Sequence, residues 1–495
     1  MNHLPVNLYR AAQIRALDRI AIADFKLPGA TLMERAGAAC FAHLTTHWPA
    51  ARSVGVLCGV GNNAGDGFVI ARLAHAAGLR VCALQVGERD KIHGDALTAL
   101  QRLEAAGAPL VAWDEKALPP CDVWIDALLG TGLNGEVTGT WRAAITALNA
   151  SARPILAVDL PSGLDADTGH VWGDAVRATA TLTFIGLKQG LFTGAGPDHV
   201  GALSFNDLEI PAAVYTRELP SATRISGAWV RSRLPQRMRS AHKGAFGHVA
   251  ILGGNHGMSG AARLAGEAAA RVGAGLVSVA TRPEHAALLS TARPELMCHG
   301  VTTAADVRRV LARATVAAIG PGLGQSAWAR ALFGQILDAE LPCVIDADAL
   351  NLLAAEPERC EHWVLTPHPG EAARLLSSTV AQVQRDRFAA ARALQKKYGG
   401  VVVLKGAGTL VVAPDSAVYV CDAGNPGMAS GGMGDVLTGV IVGLLAQGLS
   451  LTDAACVGVH VHAVAADRAA RDGERGLLAS DVLAQLRTGV NPVMS

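Results

Sequence analysis

Apolar positions along this chain come in two spacings. Short unbroken runs, VGVLC (54–58), RVCALQV (80–86), VWIDALLG (123–130) and PILAVDLPSG (154–163), read as buried strands, the last two running out into loops. Between them, FVIARLAHAAG (68–78), DALTALQRLEAAG (95–107) and TWRAAITALNAS (140–151) carry apolar residues at helical spacing. Residues 10–48 also read as helical, with a break near Pro28-Gly29. The alternation predicts a parallel sheet covered on both faces. Over 206–245 several prolines interrupt a stretch with no long apolar period, and a domain junction is expected near 220. The rhythm then restarts with HVAILGG (248–254), LVSVAT (276–281), VAAIG (316–320), CVIDAD (343–348) and VVVLKG (401–406), separated by helices rich in Ala and Arg. No repeat links the halves. The expectation is two different three-layer α/β domains, residues 1–220 and 225–495.

Composition agrees. The chain has 495 residues, half of them hydrophobic and 17% charged, which supports two well-buried cores at about 100–200 residues per domain or somewhat more. The formal net charge is +1 and no Lys/Arg block could track a phosphate backbone, so nucleic acid is not expected as a partner. Nine Cys without a C-x-x-C pair predict reduced, mostly buried thiols in a cytoplasmic protein. The N-terminus MNHLPVNLYRAAQ lacks the apolar core of a signal peptide, and no apolar run reaches the ~20 residues of a membrane span. No membrane association is expected.

The chemistry gathers in glycine-containing loops at strand ends, where backbone N–H groups and helix N-termini point outward. In GVGNNAGDGF (59–68), Gly59, Gly61 and Ala64 match a dinucleotide-binding turn. The acidic partner expected about 20 residues on comes late, at Glu88 or Asp90. Three readings stay open: a conventional dinucleotide turn, a tight turn with polar filler, or a site where Asn62, Asn63 and Asp66 bind an ion or do chemistry. Asp126, Asp159 and Ser162 follow at the ends of other strands and could converge with Asn63 as hard oxygen ligands. GTGLNGE (130–136) could hold a phosphate. In the second half, GNPGMASGGMGD (424–435) opens an apolar helix. Its backbone N–H groups could stabilise a transferred phosphoryl group, with Asp435 accepting a hydroxyl proton or serving only as a helix cap. The helix N-terminus would lower the Asp435 pKa and burial would raise it. No Gly-Lys dipeptide occurs, which excludes a Walker-type loop. LKGAGT (404–409), IGPGLG (319–324), DADALN (346–351) and TPHPGE (366–371) are further strand-end loops, the last holding His368 between two prolines. His460 and His462, two apart on a helix, read as core or surface residues.

Taken together these motifs resemble a known family. HKGAFGHVAILGGNHGMSGAARLAGEAA, DADALN, TPHPGE, LKGAGT and GNPGMASGGMGD are similar, in order, to the ribokinase-like ADP/ATP-dependent NAD(P)H-hydrate dehydratases. GNNAGDGF, DALLGTGLNGEV, VDLPSGLDADTG and FIGLKQGL are similar to the Rossmann-like NAD(P)H-hydrate epimerase domain. The resemblance covers nearly the whole chain and implies a bacterial bifunctional nicotinamide nucleotide repair enzyme. Its substrates would be NADH and NADPH hydrated at C6, interconverted between R and S forms. The S form would then be dehydrated, with ADP becoming AMP and phosphate.

By motif, the resemblance puts Asn62, Asn63, Ala64, Gly65, Asp66, Gly130, Thr131, Gly132, Leu133, Asn134, Gly135, Glu136, Trp141 and Asp159 against the hydrate in the epimerase. Asp159 would be the acid/base, and Asn63, Asp126 and Ser162 would hold potassium. This chain has Gly135-Glu136 where many relatives carry a basic residue. Lys188 matches a family lysine of unassigned role. In the dehydratase, Ala261, Gly322, His368 and Asp435 would line the hydrate site, with Asp435 catalytic. Lys405, Gly406, Ala407, Gly408, Thr409, Asn425, Gly431, Gly432, Met433 and Gly434 would hold ADP, with magnesium bridging its phosphates. A homo-oligomer is expected. The competing reading is a vitamin or sugar kinase of ribokinase-like fold carrying a non-catalytic N-terminal binding domain.

Overall fold

The computed structural model describes residues 4–115 and 117–491. The chain divides into two units, 1–223 and 224–495.

The first unit is built on β1 (Ser53–Cys58), β2 (Arg80–Gln85), β3 (Leu110–Ala112), β4 (Val123–Ala127), β5 (Ile155–Val158), β6 (Ala180–Phe184) and β7 (Ala202–Asn206). They form one parallel sheet in the order β3-β2-β1-β4-β5-β6-β7. Every residue of β1 is buried, as a strand covered on both faces requires. Val54, Val56 and Cys58 face one apolar cluster with α1 (Ala11–Ala23), α2 (Gly29–His47), α3 (Asn62–Ala76) and α4 (Gly94–Ala105). Leu57 and Trp124 face the other, with α5 (Gly139–Ala150). This is the expected three-layer arrangement.

One boundary differs from the sequence reading. The helix expected from Phe68 begins at Asn62, so the polar motif is its first turns rather than a loop. The apolar period misses this because the helix is held there by close approach instead of large side chains. A Cβ on Gly65 would lie 2.5 Å from Met33 Sδ, and one on Gly67 would lie 2.6 Å from Ala127 Cβ. Glycine is poor in helices, and such contacts offset that cost.

The second unit contains β8 (His248–Leu252), β9 (Leu276–Thr281), β10 (Met297–Gly300), β11 (Val316–Ile319), β12 (Cys343–Ile345), β13 (Trp363–Leu365), β14 (Val401–Leu404), β15 (Thr409–Val412) and β16 (Val418–Cys421). The order is β10-β9-β8-β11-β12-β13-β14-β15-β16, parallel up to β14 and antiparallel beyond. Helices α6 (Ser259–Arg271), α7 (Ala347–Ala355), α8 (Pro369–Leu375), α9 (Met433–Ala446) and α10 (Leu451–Ala469) include those that carry the site. Helix α9 is almost wholly apolar and packs directly on α6. A Cβ on Gly439 would fall 2.0 Å from the Ala265 carbonyl oxygen, so only glycine allows this approach. That contact, one turn beyond Asp435, fixes where the N-terminus of α9 sits. All nine Cys are free thiols. No described helix is long and apolar enough to cross a membrane.

Candidate active sites

In the first unit, the ends of β1, β4, β5 and β6 surround a cavity of about 630 Å³. Its lining includes Asn62, Asn63, Asp66, Gly130, Thr131, Gly132, Leu133, Asn134, Trp141, Asp159 and Lys188. Four expected contacts lie outside that lining. Ala64 and Gly65 are buried on the protein side of α3, and Gly135 and Glu136 follow the part of the loop that reaches the cavity. Asp18 and Asp95, which the sequence reading did not single out, also line it.

Asp159 sits at φ +69, a left-handed conformation that Asp tolerates better than most residues. Its Oδ1 accepts from Phe184 N at 3.1 Å, from Thr183 Oγ1 at 3.2 Å and from Lys188 Nζ. Lys188 is 0% exposed, and its ammonium also donates to Thr183 Oγ1 at 3.0 Å and Phe184 O at 2.9 Å. All three ammonium protons are thereby used within the protein. Burial lowers the Lys188 pKa, opposed by Asp159 and Asp66. The lysine therefore orients the aspartate.

Asn63, Asp126 and Ser162 meet around one residue, Leu129. Leu129 O accepts from Asn63 Nδ2 at 3.0 Å and Leu129 N donates to Ser162 Oγ at 2.8 Å. Ser162 Oγ and N donate to the two oxygens of Asp126 at 2.6 and 2.8 Å. Burial pushes Asp126 up to about 6, against its hydrogen bonds to Ser162 and Leu128. No cationic side chain pairs with Asp126 among the described residues. A buried carboxylate with neutral oxygen donors beside it and no counter-charge suits a monovalent cation in chemistry.

In the second unit, β8, β11, β12, β13 and β14 are consecutive parallel neighbours. The loops after them carry five of the motifs of that half, and GNPGMASGGMGD follows β16. Gly322, after β11, lies beside the start of α6: a Cβ there would be 3.1 Å from Ala261 Cβ. Asp346, after β12, is buried and accepts from Thr366 Oγ1 at 2.7 Å, Lys405 Nζ at 2.8 Å and Thr438 Oγ1 at 2.8 Å. Lys405 Nζ also stands 3.9 Å from Glu371 Oε2. Burial alone would lower the Lys405 pKa, but Asp346, Glu371 and Asp435 together raise it. Sequence motifs contained Asp346, Glu371 and Lys405, but their pairing across more than thirty positions gave no local signal.

His368 is the N-cap of α8. Its Nδ1 accepts from Gly370 N at 2.9 Å and Glu371 N at 3.4 Å, while Glu371 returns a bond to His368 N. The prolines thus set a cap, and the imidazole stays half-exposed. Burial first, then Lys405 and Arg374, lower its pKa. Asn425 donates to Asp467 Oδ1 at 2.9 Å and accepts from Gly427 N at 3.0 Å, bracing the loop that leads to α9. The cap of α9 is Gly432, in the left-handed region at φ 89. Asp435 is the third residue inside the helix and makes no capping bond, which overturns the cap reading. A Cβ on Gly434 would come within 3.3 Å of Lys405 Nζ and 3.7 Å of Asp346 Oδ2, so Asp435 follows directly on this charged cluster. Burial comes first, Asp346 and Asp348 add to it and Lys405 opposes, and the Asp435 pKa rises to about 7. Gly406, Ala407 and Gly408 lie between β14 and β15, where the antiparallel edge opens, and Thr409, the first residue of β15, donates its hydroxyl to Gly406 O at 2.9 Å. His462 is buried and held neutral, its pKa lowered to about 4 by burial and then by Lys405.

The family described as NAD(P)H-hydrate dehydratase matches residues 249–487, and that described as YjeF-related protein N-terminus matches residues 29–190. The chain is 50% identical to the bifunctional NAD(P)H-hydrate repair enzyme of Coxiella burnetii, over 98% of this chain and 99% of that one. It is 45% identical to the bifunctional NAD(P)H-hydrate repair enzyme of Escherichia coli, over 99% and 95%. Among solved structures, a ribokinase-like superfamily protein of Enterococcus faecalis aligns at TM-score 0.51 and 29% identity, over 55% of this chain and 95% of that one.

Proposed function

The chain belongs to the family of bifunctional NAD(P)H-hydrate repair enzymes, and we propose how its two sites divide the work. The first unit epimerises the R and S hydrates of NADH and NADPH, and the second dehydrates the S form with conversion of ADP to AMP and phosphate. Full-length identity to repair enzymes supports this over the kinase reading.

In the second unit the observation that carries the reading is Asp435 beside a glycine-rich helix N-terminus. A C6 hydroxyl leaves poorly, and phosphorylation makes it a good leaving group. Asp435 takes the hydroxyl proton as the C6 oxygen bonds to the terminal phosphorus of ADP, and the bridging P–O bond breaks to release AMP. Backbone N–H groups of Gly431, Gly432, Met433 and Gly434 face the charge that develops. The ring nitrogen lone pair then expels phosphate, and loss of the C5 proton restores the reduced ring. Lys405 to Thr409 and Asn425 are proposed to flank the nucleotide, and Ala261, Gly322 and His368 the hydrate. Among the described residues no cluster of three or more His, Cys, Asp or Glu side chains could hold a metal. Magnesium is therefore proposed to enter on the nucleotide phosphates, where it would neutralise charge.

In the first unit, Asp159 is proposed as the acid/base and Asn62, Asn63 and Gly130 to Asn134 as hydrate contacts. Asn63, Asp126 and Ser162 would hold potassium, which would supply the missing counter-charge to Asp126. Trp141 offers an aromatic face to the ring.

The dehydratase is tested by supplying the pure S hydrate and ADP and following reduced-nicotinamide absorbance with AMP and phosphate. The three products are expected in equal amounts. Because a base must be ionised and Asp435 is raised to about 7, kcat/KM is expected to fall about tenfold per pH unit below neutrality and level off above it. A profile flat down to the ordinary carboxylate range would remove Asp435 as the base.

A further inference from the structure

Inversion at C6 by loss and return of water takes oxygen off one face of the ring and brings it back on the other, so a proton is given on one face and taken on the opposite one. The epimerase reading assigns Asp159 alone, and its Oδ1 is fully engaged by Thr183, Phe184 and Lys188. No described residue bonds its Oδ2, so that oxygen is the one left for substrate.

A second carboxyl lines the same cavity. The side-chain carboxyl of Asp66, on α3, accepts no hydrogen bond from any described residue. Its surroundings favour the neutral acid. Burial comes first, then the negative charges of Asp159 and Asp18, while Lys188 alone opposes them. Cys40 also lies within its field, and Asp18 is itself raised by burial and by Asp95. Lys188, the buried cation of this group, is fully committed to Asp159, Thr183 and Phe184. One oriented carboxylate and one unbonded carboxyl therefore face the same space, an arrangement in which environment splits two aspartates into different roles.

We propose that Asp66 is a second catalytic residue of the epimerase, the acid that works with Asp159 as base. The proposal rests on the epimerase reading of this unit. Asp66 gives its proton to the C6 oxygen. The C6–O bond breaks with its pair on oxygen, water leaves, and the ring nitrogen lone pair forms the N1=C6 bond. Water then bonds C6 on the opposite face, the N1=C6 pair returns to nitrogen, and Asp159 Oδ2 takes the water proton. A proton passing through water from Asp159 to Asp66 resets the pair. The reverse inversion starts with the proton on Asp159.

The experiment uses the full chain in ¹⁸O-water with a single hydrate epimer and no ADP, following inversion by chromatography and C6 oxygen by mass. Wild type is expected to invert the hydrate with ¹⁸O incorporated at each inversion. Asp66→Asn is expected to lose inversion and exchange together, by about 100-fold or more. It should still bind the hydrate and still dehydrate the S form with ADP, which reports that the chain is folded. Inversion by Asp66→Asn at the wild-type rate overturns the proposal. So does wild-type inversion that retains the original oxygen, since ring opening would then replace loss of water. A wild-type chain that does not invert the hydrate overturns the epimerase reading itself, and this proposal with it.

Discussion

Asp435→Asn is expected to slow conversion of the S hydrate to NADH by about 100- to 10,000-fold, the usual worth of a positioned general base. The side chain keeps its shape, so nucleotide and hydrate should bind with near-normal affinity and the loss should appear in kcat. The neighbourhood explains why the effect is confined to chemistry. Asp435 makes no capping bond that the variant would break. The buried ion pair of Asp346 with Lys405, held also by Thr366 and Thr438, makes none of its hydrogen bonds to Asp435. Removing a buried carboxyl whose ionisation is disfavoured should not weaken the fold, so denaturation of the second unit is expected to be unchanged or slightly later. Turnover within a few-fold of wild type would show that Asp435 is not the base.

Asp159→Asn is expected to abolish epimerisation, again by about 100-fold or more, while dehydration of pure S hydrate continues. This variant carries a structural cost that Asp435→Asn does not. Lys188 is 0% exposed and loses its ionised partner, and breaking a buried pair from one side costs about 3–5 kcal/mol. Lower stability of the first unit is therefore part of the expected result. The double variant Asp159→Asn with Lys188→Met removes both charges and should recover much of that stability without recovering inversion. Inversion restored along with stability would mean that Asp159 acts only through the fold.

Much of this was legible in the sequence because parallel strands buried on both faces leave unbroken apolar runs, and Gly-rich loops at their ends mark where ligands gather. The two sheets and the strand-end loops follow from that signal. What the sequence concealed is contact between distant positions. Lys188 meets Asp159 from 29 residues away, and Lys405 meets Asp346 from 59. Neither pairing has a period to detect. The start of α3 leaves no apolar period because Gly65 and Gly67 are required by Met33 and Ala127, which lie elsewhere in the chain. The antiparallel edge β15–β16 leaves no strand–helix alternation to read, because no helix separates its strands. The rise at Asp435 comes from burial and from Asp346 and Asp348 standing nearby, which only the fold reveals.

The central claim, two complementary activities in one chain, is tested most directly with a racemic mixture of NADH hydrates, ADP, magnesium and potassium. Return of reduced-nicotinamide absorbance is followed to its end point against a control for spontaneous epimerisation. Recovery of the full racemate, faster than the control allows, is the predicted result. Recovery that stops at half would leave the first unit without epimerase activity, and none with either ADP or ATP would contradict the dehydratase assignment and with it the claim of two activities in one chain.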